Sequence, residues 1–143
     1  DDTINGGADN DTITGGDGVD VLTGGTGADT FVYLSSFDAP ASGTLPIERI
    51  EDFVSGTDVI DLSAASFGLA GTFVDRGTFV DYATGFADAD AQIAGTPNEI
   101  VFFDDGVNGY LLIDLDNDGV AEDMSIQLTG VLTGGVLGTD FIV

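Results

Sequence analysis

Aspartate recurs at a strict period of nine residues in the N-terminal third of the chain. The four acids of this series are Asp2, Asp11, Asp20 and Asp29. A glycine pair begins five residues before each of the last three, and a large apolar residue stands two residues after all four. Carboxylates and the carbonyl groups of glycine turns are hard oxygen ligands, which calcium and magnesium prefer. The chemistry that this spacing favours is therefore the binding of a divalent cation.

The same period defines a structural unit with three contiguous copies, at residues 6–14, 15–23 and 24–32, after a half copy at residues 1–5. Glycine pairs allow positive φ angles and tight turns, and the residues from each aspartate onward alternate as a very short strand does. Each unit is thus predicted to be one turn plus one strand, and successive units to wind into a flattened parallel solenoid. The alternative, a flexible Gly/Asp-rich linker, does not explain three copies in register.

Stacking in such a solenoid places the apolar residues inside and the glycine turns along two edges. The inward residues are Ile4, Ile13, Leu22 and Phe31. Because alternate strands lie on opposite faces, units two apart share an edge. Asp11 is therefore expected beside Asp29, and Asp2 beside Asp20. Carboxylates stacked about 5 Å apart repel each other, and a calcium ion between them reverses the sign of that interaction. The metal is predicted to be structural.

The predicted calcium ligands are the repeat aspartates and the residues of the glycine turns, with several ions in all. They are Asp2, Gly6, Gly7, Asp9, Asp11, Gly15, Gly16, Gly18, Asp20, Gly24, Gly25, Gly27 and Asp29. Asp9 replaces the fourth-position glycine of its copy and adds a candidate ligand. Asp38 lies nine residues after Asp29, and a last calcium is expected between Asp20 and Asp38, with Glu48 as a further ligand. The alternative for Asp38 is a turn residue before Pro40.

Composition limits the function. The 143 residues carry a formal charge of −24, from 26 acidic and two basic side chains, with no His and no Cys. Such a chain repels phosphate backbones and anionic lipids, so neither nucleic-acid binding nor membrane insertion is expected. The lack of His and Cys excludes catalytic triads, thiolate nucleophiles and the usual zinc sites. A hydrolase based on a carboxylate pair is disfavoured, because no acid stands in an isolated apolar setting.

The repeats resemble the G-G-x-G-x-D-x-U-x nonapeptide of the RTX family of calcium-binding proteins. After a loop at residues 35–46, the segments Ile-x-Asp-Phe (50–53) and Gly-x-Asp-x-Ile-Asp-Leu-Ser (56–63) resemble the C-terminal domain of serralysin-type secreted metalloproteases. The resemblance implies an all-β fold. A short parallel β-roll at residues 1–34 would continue into an antiparallel β-sandwich cap at residues 35–143, as one domain.

The second half of the chain adds one further motif. Apolar runs at residues 99–104, 110–115 and 124–129 predict an antiparallel meander, and the phenylalanines between residues 66 and 98 predict core positions in loops and short helical turns. An acidic turn between the last two runs has the ligand spacing of an EF-hand-like calcium loop. Its candidate ligands are Asp114, Asp116, Asp118 and Glu122. The alternative is a solvated hairpin turn, because Ser125 stands where such a loop has a bidentate Glu.

The chain ends with Asp140, Phe141, Ile142 and Val143. An acid followed by three apolar residues at the terminus resembles the signal of proteins exported by type I secretion systems. The alternative, a terminal strand that closes the sheet, is compatible with a signal that is read in the unfolded chain. Because the sequence starts without Met, we expect further repeats upstream.

The resemblance implies a non-catalytic C-terminal module of a secreted, extracellular protein, with any catalytic domain upstream. Its expected roles are export through the type I secretion machinery and calcium-triggered folding outside the cell. The alternative is a calcium-dependent module that binds polysaccharide or the cell envelope. In that case Tyr82 and Tyr110 are the expected sugar contacts on an exposed surface.

Overall fold

The structure, a computed structural model, describes residues 1–40, 43, 45–64, 73–95, 100–114 and 123–143. Two β-sheets face each other across an apolar core, and one helix covers the outer face of the larger sheet. The elements are β1 (Thr3–Ala8), β2 (Thr12–Ile13), β3 (Val21–Thr26), β4 (Thr30–Val32), β5 (Glu48–Ile50), β6 (Val59–Asp61), β7 (Phe73–Thr78), α1 (Tyr82–Gly95), β8 (Ile100–Asp104), β9 (Asn108–Ile113), β10 (Met124–Thr129) and β11 (Phe141–Ile142). Short 3₁₀ turns occupy Ser36–Asp38 and Gly138–Asp140.

The N-terminal repeats form a parallel roll. β1 pairs with β3, and β2 pairs with β4, each in parallel and each with a partner two units away. The register opposes Ile4 to Leu22 and Ile13 to Phe31. Three of these four apolar residues are buried and Ile4 is partly buried. The predicted pairing of units two apart is therefore confirmed, because the nine-residue period carries one apolar residue inward per strand.

The parallel stacking continues beyond the repeats. In the seven-stranded sheet the strand order is β1-β3-β5-β10-β9-β8-β7, and β5 pairs in parallel with both β3 and β10. In the four-stranded sheet the order is β11-β6-β4-β2, and every pairing is parallel. The roll and the sandwich thus share both sheets and one core, which contains Phe31, Ile50, Ile60 and Ile126.

The predicted antiparallel meander is confirmed in β8, β9 and β10. Adjacent residues of β8 and β9 point to opposite faces of the sheet. Phe102 and Leu111 enter the core between the two sheets, whereas Phe103 and Leu112 enter a second core beneath α1. Both faces of these strands are covered, so they consist of nearly continuous apolar runs.

The helix α1 is longer than the short helical turns expected from the sequence. Asp81 precedes it, and its Oδ1 accepts a hydrogen bond from Thr84 N–H over 2.8 Å, as an N-cap residue does. Tyr82, Ala89 and Ile93 are buried on its inner face. Among the described residues, no helix is long and apolar enough to cross a membrane.

One expectation about surface contacts is wrong. Tyr82 and Tyr110 were predicted as exposed sugar contacts, but their exposed fractions are 6% and 1%. Their rings lie 4.8 Å apart, centroid to centroid, in the second core with Phe103. Burial of the large apolar ring of a tyrosine stabilises the fold when the hydroxyl has a hydrogen-bond partner. Tyr110 has one, because its O–H donates to Asp105 Oδ2 over 2.8 Å.

Candidate metal centre

The acids of the roll are connected by hydrogen bonds along each edge. On one edge, the N–H of Asp11 donates to Oδ1 of Asp29 over 2.9 Å, and the N–H of Asp29 donates to Oδ1 of Asp58 over 3.0 Å. On the other edge, Asp2 N–H donates to Oδ1 of Asp20, whose own N–H donates to Oε2 of Glu48 over 2.6 Å. Each acid therefore accepts from the acid one coil before it.

The second carboxylate oxygen of two repeat acids has no partner. Oδ2 of Asp11 and Oδ2 of Asp20 are both buried and make no hydrogen bond. Asp20 is completely buried. Burying a carboxylate oxygen without a donor is strongly unfavourable, so a cation at these two atoms would stabilise the fold.

Each repeat carboxylate lies against the first glycine of its own unit. A Cβ built on Gly15 would lie 2.4 Å from Asp20 Oδ2, and one on Gly24 would lie 2.3 Å from Asp29 Oδ2. A Cβ built on Gly6 would lie close to two oxygens, 2.6 Å from Asp11 Oδ2 and 2.8 Å from the carbonyl oxygen of Gly24. The space that each of these glycines leaves open is thus lined by the carboxylate of its own unit, and at Gly6 also by a carbonyl from the next coil. These are hard oxygen donors of the kind calcium prefers.

The glycine turns of one edge stack closely on each other. A Cβ on Gly25 would lie 2.0 Å from the carbonyl oxygen of Gly7, and one on Gly27 would lie 2.2 Å from that of Asp9. Asp9 has a φ angle of +74°, in the left-handed region that the glycine of a regular repeat adopts at this position. The carbonyls of Gly7 and Asp9 therefore lie between stacked turns, against the backbone of the next coil.

A group of buried acids lies where the repeats end. Glu48 and Asp20 are completely buried, and the hydroxyl of the buried Tyr33 lies 3.4 Å from Oε1 of Glu48. Burial is the main cause that raises the pKa of Glu48 to about 8, and the negative charges of Asp20 and Asp38 raise it further against the lowering effect of the bond from Asp20 N–H. Burial and the charge of Glu48 also raise the pKa of Tyr33.

The structure places Asp38 in a local turn. Its carboxylate accepts hydrogen bonds from Leu34 N–H over 2.7 Å and from Ser35 Oγ–H over 2.9 Å. These bonds correspond to the turn role named as its alternative. The negative charge of Asp38 contributes to the raised pKa of Glu48. The role of Asp38 as a calcium ligand stays a prediction.

Cationic side chains do not neutralise the roll acids. The chain has two, and Arg49 Nε lies 2.8 Å from Glu51 Oε1 while Arg76 Nε lies 2.8 Å from Asp88 Oδ2. The α-amino group of Asp1 lies 3.6 Å from Oδ1 of Asp20. Within the described ranges, no three acidic side chains come close enough to hold a metal by themselves. A metal at the roll would therefore need oxygen ligands besides these carboxylates, and the turn carbonyls are the candidates in this chain.

The remaining predicted residues lie elsewhere. Asp114 is buried directly after β9, and Asp116, Asp118 and Glu122 lie outside the described residues. Asp140 is buried, and Phe141 and Ile142 form β11, the terminal strand that was named as the alternative to an export signal. Val143 is exposed.

Two acids that connect the roll to the sandwich were missed. Asp52 accepts hydrogen bonds from the N–H groups of Gly24 and Gly25 over 2.9 and 2.8 Å. Asp58 accepts from Asp29 and, over 2.8 Å, from Val54 N–H. The sequence holds a signal for Asp58, because it stands two residues before Ile60 as each repeat aspartate stands before its apolar residue. We find no such signal for Asp52.

A parallel roll of glycine turns and aspartates that shares its sheets with a β-sandwich agrees with the architecture expected of RTX modules. The family described as "Peptidase M10 serralysin C terminal" matches residues 3–143. The chain therefore belongs to this family, and the resemblance drawn from the sequence is confirmed. A comparison with curated proteins gave no match.

Among solved structures, the chain is similar to the solution structure of the AlgE6R3 subunit from the Azotobacter vinelandii mannuronan C5-epimerase. The two share 28% sequence identity with a TM-score of 0.62. The match covers 99% of this chain but only 66% of the length of that structure. The predicted all-β architecture of roll and sandwich is confirmed by this likeness together with the two sheets.

Proposed function

We propose that this chain is a non-catalytic, calcium-binding module whose folding is triggered by calcium. The observation that carries the proposal is the pair of buried, unpartnered oxygens, Oδ2 of Asp11 and Oδ2 of Asp20. Calcium bound there supplies positive charge between coils. The residues that would hold it are the repeat aspartates and the turn carbonyls of the stacked units, for example Gly7, Asp9 and Gly24.

The energetics support a folding switch. With a formal charge of −24 and two cationic side chains, the chain repels itself at low calcium. Calcium that binds only the folded state stabilises that state by RT ln(1 + [L]/Kd) per site, about 4 kcal/mol when calcium stands a thousandfold above Kd. The chain thus remains extended where calcium is scarce and folds where it is abundant.

The ligand assignment is tested by counting bound ions. Equilibrium dialysis or calorimetry with calcium is carried out on the parent chain and on Asp11→Asn, with Asp61→Asn as the matched control in the same sheet. Asp61 Oδ1 accepts hydrogen bonds from the nearby Ser63. The variant at Asp11 is expected to bind fewer ions or to bind them more weakly, and the control to match the parent. Equal binding by all three proteins would refute the assignment.

We further propose that the module belongs to a secreted protein and carries its type I export signal at Asp140–Val143. Membership of the serralysin C-terminal family supports this proposal. The test compares the amount of the full-length protein in culture medium and in cells, with and without residues 140–143, in cells that hold a type I exporter. We expect retention of the truncated protein inside the cells. Unchanged export would contradict the signal.

A second candidate function is calcium-dependent binding of polysaccharide. It is favoured by the similarity to a subunit of a mannuronan C5-epimerase. Tyr82 and Tyr110 are too buried to serve as its sugar contacts. Retention on immobilised polymannuronate, with calcium or with chelator, tests this candidate. Calcium-dependent retention would support it, and no retention would leave folding and export as the functions of the module.

A further inference from the structure

The C-terminal strand belongs to the same sheet as the repeat acids. β11 pairs in parallel with β6, and Leu62 N–H donates to the carbonyl oxygen of Ile142 over 2.8 Å. β6 pairs in parallel with β4, the strand that directly follows Asp29. The end of the chain therefore lies two strands from an edge of the proposed metal centre.

Asp140 is bonded to a turn that precedes β6. It is 1% exposed, and its Oδ1 accepts from Gly56 N–H over 3.0 Å. Its Oδ2 accepts from Ser55 Oγ–H over 2.6 Å and from Leu137 N–H over 2.8 Å. Two of these three donors belong to the segment 55–58. Since bonds to a carboxylate are stronger than bonds between neutral groups, Asp140 fixes this segment firmly.

The segment 55–58 ends at Asp58, which contacts the roll directly. Oδ1 of Asp58 accepts from Asp29 N–H, and Oδ2 accepts from Val54 N–H. Both oxygens of Asp58 and both oxygens of Asp140 therefore have protein donors, whereas Oδ2 of Asp11 and of Asp20 have none. Hydrogen bonds from the protein thus satisfy the carboxylates of Asp58 and Asp140. The carboxylates of Asp11 and Asp20 each keep one oxygen free for the proposed calcium.

We propose that Asp140 is a positioning residue for the calcium-binding roll. By holding residues 55–58, it keeps Asp58 where its carboxylate accepts the Asp29 N–H, and it thereby fixes the orientation of the Asp29 carboxylate against Gly24. Residues near the C-terminal end of this chain thus support the last hydrogen bond between stacked acids on one edge of the proposed metal centre. This inference rests on the proposed calcium function, and it assigns Asp140 a role in the folded protein besides any role in export.

The test compares Asp140→Asn with Asp104→Asn. Asp104 is also a buried acid with several donors, but it lies in the meander. Folding is followed at the calcium concentration that half-folds the parent. The Asp140 variant is expected to lower the folding equilibrium constant about tenfold, the factor that loss of a hydrogen bond to a charged group implies. Ser55→Ala, which removes one donor only, provides a milder variant if Asp140→Asn does not fold.

Amide hydrogen exchange separates positioning from general destabilisation. At saturating calcium, Asp140→Asn or Ser55→Ala is expected to speed exchange at the Asp29 amide more than at the amides of β9. Asp104→Asn, which destabilises the meander, is expected to speed exchange at β9 at least as much as at the Asp29 amide. Equal protection of the Asp29 amide in all variants would overturn the inference. A parent chain that folds without calcium would instead refute the proposed function, and the exchange result would still report on the contact between Asp140 and the roll.

Discussion

Buried carboxylates of the roll and of the meander are satisfied by different means. In the meander, Asp104 accepts hydrogen bonds from the hydroxyls of Thr78 and Thr133 and from the N–H groups of Gly106 and Thr133. In the roll, Asp20 is equally buried, yet its Oδ2 has no donor. Burial alone therefore does not mark a metal ligand. What sets Asp20 apart is its unpartnered oxygen, which the proposed calcium site would satisfy.

The two regions also differ in the direction of their pKa shifts. Burial raises the pKa of Asp104, but its hydrogen bonds, led by that of the Thr133 hydroxyl, outweigh burial and hold the pKa below its usual value. In the roll, burial dominates and the pKa of Glu48 rises to about 8. Hydrogen bonds in the meander thus stabilise the charged form of Asp104, whereas burial in the roll disfavours the charged form of Glu48.

The largest expected effect tests the close stacking of the roll. Gly25 and Gly7 have nearly equal φ angles of +102° and +107°, but a Cβ on Gly25 would lie 2.0 Å from a backbone carbonyl, whereas one on Gly7 meets nothing within 4 Å. Both Ala variants bear the strain of a positive φ angle. Gly25→Ala is expected to cost about 1–3 kcal/mol more than Gly7→Ala in urea unfolding at saturating calcium. Equal costs would mean that the coils are not in contact.

The next prediction concerns the meander. Asp104→Asn replaces one oxygen by an amide NH₂ that faces protein donors, so the free energy of unfolding is expected to fall by about 1.5–3 kcal/mol. The number of calcium ions bound per chain should stay unchanged, because Asp104 already has its donors within the protein. Stability comes from urea unfolding and the ion count from equilibrium dialysis. A reduced ion count would remove the distinction between the two regions.

The complementary prediction concerns Asp20 in the roll. Asp20→Asn keeps the shape of the side chain but removes the charge of the buried, unpartnered carboxylate. Loss even of a residue that supports a metal ligand costs about 10–100-fold in metal affinity, so calcium affinity is expected to fall at least tenfold at this edge. Calorimetric calcium titration measures the change. Parent-like affinity would show that this oxygen is not a calcium ligand.

The last prediction is a pH dependence of opposite sign in the two regions. The pKa of Glu48 is raised from 4.5 to about 8, so its contribution to stability is complete below pH 4.5 and is lost as the pH rises through about 8. The pKa of Asp104 is lowered, so its contribution is present above its ordinary pKa of 3.8 and is lost as the pH falls through the lower value.

The pH dependence that Glu48 gives the roll is therefore best measured in calcium-depleted buffer. Strand content measured by circular dichroism is expected to rise as the pH is lowered from 8 to 5, since protonation of Glu48 removes a buried charge. In Glu48→Gln this dependence should be weaker, because the neutral side chain does not titrate. A parent and a variant with the same pH profile would show that Glu48 does not limit folding.

Periodic features of the fold could be predicted from the sequence, and contacts made once could not. The nine-residue period predicts turn, strand and inward residue together, because each unit repeats the same local geometry. Asp52 bonds to a residue 28 positions away, and no repetition predicts this contact. Asp58 bonds to a residue 29 positions away, and its only signal in the sequence is its place two residues before Ile60. Of the acids that the structure brings together at the roll, the sequence predicts the repeat aspartates and Glu48 but not Asp52 and Asp58.

The length of helix α1 could not be predicted from the sequence, for a different reason. Its inner face consists of Tyr82, Phe86, Ala89 and Ile93, which have the spacing of a helix. Five alanines and two glycines in this segment give a weak contrast between the inner and outer faces, so the pattern predicts only loops and short turns. The second core, which buries Tyr82 and Tyr110, depends on this helix and was missed with it.

The most direct test of the central claim is the far-ultraviolet circular dichroism of this chain at neutral pH, first with excess chelator and then with millimolar calcium. Magnesium at the same concentration serves as the control for ionic strength. We predict that the chain lacks most of its strand signal with chelator and gains it with calcium. The same strand content in both conditions would contradict the account, because the unpartnered oxygens of Asp11 and Asp20 would then not require a metal.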